Sequence, residues 1–180
     1  MIIKPMKHEN ASDWFDFFDD RAFADHQDWK GCYCTGPFTP RLKEYDQKSP
    51  RRKEYAEWLI DSGRMKGYLA FENGKVIGWC NANRKTALPK YSDASSESAG
   101  VLSIACFMVQ KEFRRKGIAE KLLVRVIRDA REEGIRIIEA YPSKRSQTDW
   151  GNFLGPYSMY EKHGFQPEKI GGTIVVRKYL

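Results

Sequence analysis

A chain of 180 residues, 41% apolar and 31% charged, can bury one sizeable core and is too apolar for a disordered segment. Its formal charge of +7 suits nucleic acid, anionic lipid or a phosphate-rich small ligand without choosing among them, but the longest like-charge blocks, Arg51-Arg52-Lys53 and Arg114-Arg115-Lys116, argue against a long nucleic-acid-binding arm. Met1 to Met6 lacks a signal-peptide core, and no apolar run reaches the roughly 18 residues of a bilayer span, so the expectation is a cytoplasmic protein with no membrane contact.

Ile2-Ile3 reads as a short first strand. Asn10 to Phe23 reads as a helix, with Ser12 a candidate cap and Trp14, Phe15, Phe17 and Phe18 as apolar positions. Ala24 to Pro50 is broken by Gly31, Gly36, Pro37 and Pro40 and reads as a long loop with one helical turn, a length that often serves function. Ser49-Pro50 can open a second helix that runs to Ser62. Strands at 67–71 and 76–82 flank the turn Glu72-Asn73-Gly74-Lys75, because Asn-Gly between apolar runs favours a hairpin. The polar stretch 83–100 reads as a loop beside the site.

Val101 to Val109 (VLSIACFMV) is apolar throughout, as a central strand buried on both faces must be. A helix follows, with Ile118, Leu122, Leu123, Val126, Ile127 and Ala130 on one face and Gly134 at its end. Arg136 to Ala140 is the next strand, and strand–helix–strand implies a parallel pair. A short helix at 156–162, with Gly155 as a candidate cap, precedes strands at 165–170 and 173–178 joined by Gly171-Gly172. The order predicts an α+β fold in one domain, 1–180. Its central sheet is mixed and mostly antiparallel, with one parallel pair and flanking helices. Strands at the sheet edge could pair between subunits, which leaves a homodimer open.

The four cysteines, Cys32, Cys34, Cys80 and Cys106, do not make a zinc set. Cys32-Tyr33-Cys34 is a C-x-C pair with no second pair near a histidine. They read as reduced structural thiols, with a substrate-pocket or redox role as the alternative. No metal is expected.

The strand ending at Val109, the run Arg114-Arg115-Lys116-Gly117-Ile118-Ala119 and the helix after it make an anion site. Helix N-termini present unpaired N–H groups and positive potential, and a small residue lets a diphosphate approach. Neither G-x-x-x-x-G-K-[ST] nor a G-x-G-x-x-G after a strand is present, which weighs against nucleotide hydrolysis and dinucleotide binding.

The segment Phe107 to Ala119 resembles the signature of the GNAT superfamily of N-acetyltransferases, [Q/R]-x-x-G-x-[G/A], through Arg114, Gly117 and Ala119. Tyr160-Glu161-Lys162-His163-Gly164-Phe165 resembles the family's Y-x-x-x-G-F segment. The resemblance implies acetyl-CoA as co-substrate. The backbone of Phe107 and Val109 would hold the pantetheine arm, and the amides of Arg114, Arg115, Lys116, Gly117, Ile118 and Ala119 the pyrophosphate. Asn152 would contact the cofactor arm, and Tyr160 would supply a proton or hydrogen bond to the leaving thiolate. It further implies direct attack by a primary amine of a small molecule or peptide. Some members carry a glutamate base where this chain has Ser103; Asp93, Glu97 or a water relay would then take the proton. Trp14, Phe17, Phe18, Trp29 and Tyr33 would pack the core or shape an acceptor pocket for an apolar or cationic amine. The alternative is a non-catalytic acyl-CoA-binding regulatory module.

Overall fold

The computed structural model describes residues 1–39, 51–92, 96–142, 153–170 and 173–180. Among these, seven strands form one sheet: β1 (Ile2–Pro5), β2 (Gly67–Glu72), β3 (Lys75–Arg84), β4 (Val101–Val109), β5 (Ile137–Ala140), β6 (Gln166–Ile170) and β7 (Thr173–Tyr179). Their order in space is β1-β2-β3-β4-β5-β7-β6. Only β4 and β5 pair in parallel among the described strands; the other neighbours are antiparallel. The mixed sheet with one parallel pair is the expected α+β architecture.

The helices are α1 (Ala11–Asp16), α2 (Arg51–Asp61), α3 (Ile118–Glu132) and α4 (Tyr157–Lys162). α3 packs its apolar stripe on one face of the sheet, against Leu102, Ile104 and Phe107 of β4. The aromatic N-terminal region covers the other face, where Trp14, Phe17, Phe18 and Leu59 bury Trp79, Ala105 and Cys106. β4 is therefore covered on both sides, as its unbroken apolar sequence requires.

Three local features differ from the sequence reading. Ser12 lies inside α1 rather than capping it; the N-cap is Asn10, whose side chain instead accepts from the Lys7 amide at 2.9 Å. The helix widens after Asp16 into a π turn over Phe17–Arg21, so it ends before Phe23. Gly155 lies one residue before the α4 cap position, which is Pro156. The hairpin forms as expected, with Asn73 and Gly74 both at positive φ (50° and 76°), the conformation of a type I′ turn. Ser49, Pro50 and the Gly171-Gly172 junction lie outside the described residues.

One irregularity in β4 shapes everything that follows. Asn81 stands opposite Cys106, and Ala82 opposite Ile104, so Ala105 is an extra residue. Such a bulge inverts the inside–outside alternation. Ala105 and Cys106 consequently share the aromatic face, and Phe107 returns to the α3 face beside Leu102 and Ile104.

Candidate active site

β4 and β5 are paired only from Val101–Ile137 to Ile104–Ala140. β5 then ends, while β4 continues through the bulge to Val109. From Ala105 onward, β4 has a strand neighbour on the β3 side and, among the described residues, an opening on the other. A cavity of about 790 Å³ lies along that opening. Ala105 to Val109 form its floor; Gly155, Pro156 and Met159 form one wall, and Cys32, Cys34 and Pro37 another.

At its end the cavity meets the N-terminus of α3. Arg115 and Gly117 both have positive φ, 59° and 74°. Gly117 is the N-cap, and no side chain bonds to the first-turn amides there. A Cβ built on Gly117 meets nothing within 4 Å. Open space, unfilled amides and a helix dipole fit a diphosphate. Arg115, Gly117, Ile118 and Ala119 line the cavity.

Arg114 also lines it, but its guanidinium is already engaged. It forks onto Asp25 (2.6 and 3.1 Å) and donates through Nε to the Val109 carbonyl at 3.0 Å. Burial would raise the Asp25 carboxyl, but the Arg114 hydrogen bonds and charge outweigh it and hold the group below the usual carboxylate range. The guanidinium thus braces the turn between β4 and α3. Lys116 is exposed, with Nζ over the Phe113 ring at 5.5 Å. Glu120, in the first turn of α3, is held below its ordinary pKa by Lys162 and then by His163, at 2.7 and 2.8 Å.

Phe107 donates its amide to the Phe153 carbonyl at 2.6 Å. The chain around Phe153 thereby occupies part of the opening that β5 leaves. Asn152 lies outside the described residues. Tyr160 is fully buried behind Gly155 and Met159, packed edge-to-face on Phe165. Its hydroxyl donates to the Leu154 carbonyl at 2.7 Å, and burial pushes its pKa well above the ordinary value. A Cβ on Gly155 would stand 3.0 Å from that hydroxyl, so glycine there lets the tyrosine oxygen sit close to the wall.

Ser103 is buried, and its Oγ shares a hydrogen bond with the Tyr141 hydroxyl at 2.8 Å. Tyr141 donates in turn to Glu139 (2.7 Å), which stands beside Ser103 in the parallel register. Glu139 is fully buried and neutralised by Lys85 (2.9 Å) and Arg177 (2.7 Å). Tyr141 stacks on Tyr91, a cavity residue. Asp93 and the Glu97 side chain lie outside the described residues. Trp14, Phe17 and Phe18 belong to the core, whereas Trp29 reaches the cavity.

Several features in or beside the cavity were not singled out from sequence: Lys90 and Tyr91 in its lining, and Asp25 and the buried amides of Asn81 and Asn83 behind it. The last two carried a signal, since two asparagines at period two interrupt a strand that is otherwise apolar. No cluster of three or more His, Cys, Asp or Glu side chains fit for a metal occurs among the described residues, and no described helix is long and apolar enough to cross a membrane.

The profile of the GNAT acetyltransferase family matches residues 4–165, and the chain belongs to that family. No curated protein matches the sequence. Solved structures share the fold at low identity. The PaiA N-acetyltransferase of Thermoplasma acidophilum in complex with coenzyme A is 19% identical, with TM-score 0.60 and full coverage of both chains. A GCN5-related N-acetyltransferase from Kribbella flavida is 18% identical with TM-score 0.60, covering 99% of this chain and 97% of that one. The ribosomal-protein-alanine N-acetyltransferase of Brucella melitensis is 13% identical, with TM-score 0.56 and full coverage of both.

Proposed function

We propose that this protein transfers an acetyl group from acetyl-CoA to a primary amine by direct attack, without a covalent enzyme intermediate. The observation that carries this reading is the continuity of one cavity from the open edge of β4 to the uncapped N-terminus of α3. The five residues Ala105 to Val109 rise about 17 Å in extended conformation, a length suited to an extended arm bearing a thioester. The amides of Arg114 to Ala119, with the Arg115 side chain that lines the cavity, meet the pyrophosphate at the far end. Coenzyme A in the Thermoplasma relative supports the same choice of co-substrate.

Direct transfer asks the protein to orient two reactants and to handle one proton. The backbone of Phe107 and Val109 aligns the arm, with the Phe153 carbonyl giving way at the Phe107 amide. A backbone amide at the β4 edge polarises the thioester carbonyl. Tyr160 stays protonated at neutral pH; to stabilise the departing thiolate as a donor, its hydroxyl turns from the Leu154 carbonyl, which it bonds in the free protein, past Gly155 to the cavity. Water takes the amine proton, because Ser103 is no base and Glu139 is bound to two cations. The acceptor is a small-molecule or peptide amine that enters past Trp29 and Tyr91. The chain works as one domain in the cytoplasm.

Thermal unfolding with and without acetyl-CoA tests this directly. A ligand at a hundredfold excess over its dissociation constant stabilises the folded state by about 2.7 kcal/mol. A rise in Tm that Gly117→Glu abolishes is expected. Amines that then release coenzyme A above background separate the enzyme from a silent binding module.

A further inference from the structure

The segment 32–37 forms the cavity wall beside the start of the open β4 edge. Cys34 within it has φ 52°, in the left-handed region that non-glycine residues seldom adopt, and is 4% exposed. Its sulfur lies over the cross-strand pair Asn81–Cys106, and Asn81 donates to it through Nδ2 at 3.3 Å.

The direction of that amide is dictated from the backbone. The Lys66 amide donates to Asn83 Oδ1 at 2.9 Å, and Asn83 Nδ2 donates to the Lys66 carbonyl at 2.8 Å. The same Asn83 nitrogen donates to Asn81 Oδ1 at 2.6 Å. The Asn81 oxygen must therefore face Asn83, and its nitrogen must face the sulfur. Both asparagines are fully buried, where a half-satisfied amide would be costly. Cys106, the cross-strand partner of Asn81, belongs to the same buried cluster as Cys34 and lines the same cavity. Cys34 thus accepts a hydrogen bond whose direction is fixed from the backbone, and Cys106 is the strand neighbour of the donor. Cys80, next in sequence to Asn81, is buried on the α3 face and is no alternative partner.

That asymmetry is what a redox pair requires: an electron-rich sulfur that meets the oxidant and a neighbouring thiol that resolves the product. We propose that Cys34 and Cys106 form a redox-sensitive pair, which closes to a disulfide when a hydroperoxide enters the cavity. Cys34 sulfur attacks the peroxide oxygen; the S–O bond forms, the O–O bond breaks, and water or an alcohol leaves with the proton. Cys106 sulfur then attacks the Cys34 sulfenic acid, the S–S bond forms, and water leaves. The two thiols lose two electrons and the peroxide gains them; a dithiol reverses the change. The bond ties the 32–37 segment to β4 one residue before Phe107 and narrows the cavity there. Its formation is independent of the acetyltransferase reading; its effect on turnover rests on that reading.

The test treats the whole protein with hydrogen peroxide, removes the oxidant, and maps disulfides by non-reducing peptide mass spectrometry. A Cys34–Cys106 cross-link is expected, reversed by dithiothreitol, retained in Cys32→Ser and absent in Cys34→Ser and Cys106→Ser. Acetylated product, measured by mass, should be lost on oxidation of the wild type and regained on reduction. Each variant is compared with its own untreated sample, so a change in its basal turnover does not matter. A Cys32–Cys34 bond, a sulfinic acid at Cys34 beside an intact Cys106 thiol, or no thiol loss overturns the pair. A cross-link with undiminished turnover overturns the narrowing of the cavity. Absence of turnover in every sample overturns the transferase reading and leaves the mapped bond to decide the pair.

Discussion

The Phe107 amide and the Phe153 carbonyl are joined by a 2.6 Å hydrogen bond across the opening where β4 outruns β5. The main-chain group with which Phe107 would bind an extended arm is thus satisfied from within the protein. An arm that takes this edge must exchange one hydrogen bond for another, at little net cost. In the free protein the Phe107 amide should be protected from hydrogen exchange. On titration with coenzyme A its resonance should shift, and Gly117→Glu should suppress the shift. An unmoved resonance at saturation would show that the arm lies elsewhere.

Gly117 serves two purposes that substitution can separate. Its φ of 74° is unfavourable for any side chain, while the space around its Cβ position is open. Gly117→Ala should therefore cost about 1 kcal/mol of stability through backbone strain alone and largely retain the acetyl-CoA thermal shift. Gly117→Glu should carry the same strain and lose the shift, because a carboxylate enters the anion site. Urea unfolding of both variants, with and without acetyl-CoA, distinguishes the two contributions.

Tyr160→Phe removes the donor to the Leu154 carbonyl and should cost about 1 kcal/mol of stability. Turnover should fall while acetyl-CoA affinity stays within about twofold, as expected when a group acts only in the transition state. Burial keeps the Tyr160 hydroxyl protonated well past its ordinary pKa, so turnover should show no basic limb from this group between pH 7 and about 10. Equal turnover in the variant would exclude the hydroxyl from the chemistry.

Asp25 and Arg114 link the N-terminal region to the turn before α3. The Asp25 carboxyl is depressed in the folded state, so its contribution is present above the unfolded value near 3.9 and is lost as pH falls through the lower folded value. Asp25→Asn should lower stability at neutral pH by about 1 kcal/mol. The difference from wild type should shrink as pH falls below about 3.9, where the unfolded carboxyl takes up its proton, and disappear below the lower folded value. Chemical unfolding of both proteins across this range is the measurement.

Glu139 is fully buried between Lys85 and Arg177. Glu139→Gln removes the charge that neutralises two buried cations and should cost about 3–5 kcal/mol. A loss below about 1 kcal/mol in urea unfolding would mean that the cations reach water or another anion once the carboxylate is gone.

The local elements were legible because their patterns are local. The nine apolar residues 101–109 dictate a doubly covered strand, and the stripe from Ile118 to Ala130 dictates a helix face. Asn73-Gly74 fixes a turn, and Gly117 marks the helix start. The strand–helix–strand order implied the parallel pair, while the resemblance to the family rested on Arg114, Gly117, Ala119 and the segment Tyr160 to Phe165. The bulge at Ala105 was not legible, since an apolar run reads the same with or without an extra residue. Yet that residue decides that Cys106 faces the N-terminal region and Phe107 faces α3. That Arg114 forks onto Asp25 was not legible either, since the two lie 89 positions apart in sequence. For the same reason Cys34 and Cys106 were separate cysteines until the fold set one against the other. Sequence spacing governs contacts within one helix or hairpin; contacts between distant segments arise only when the sheet and its covering layers pack.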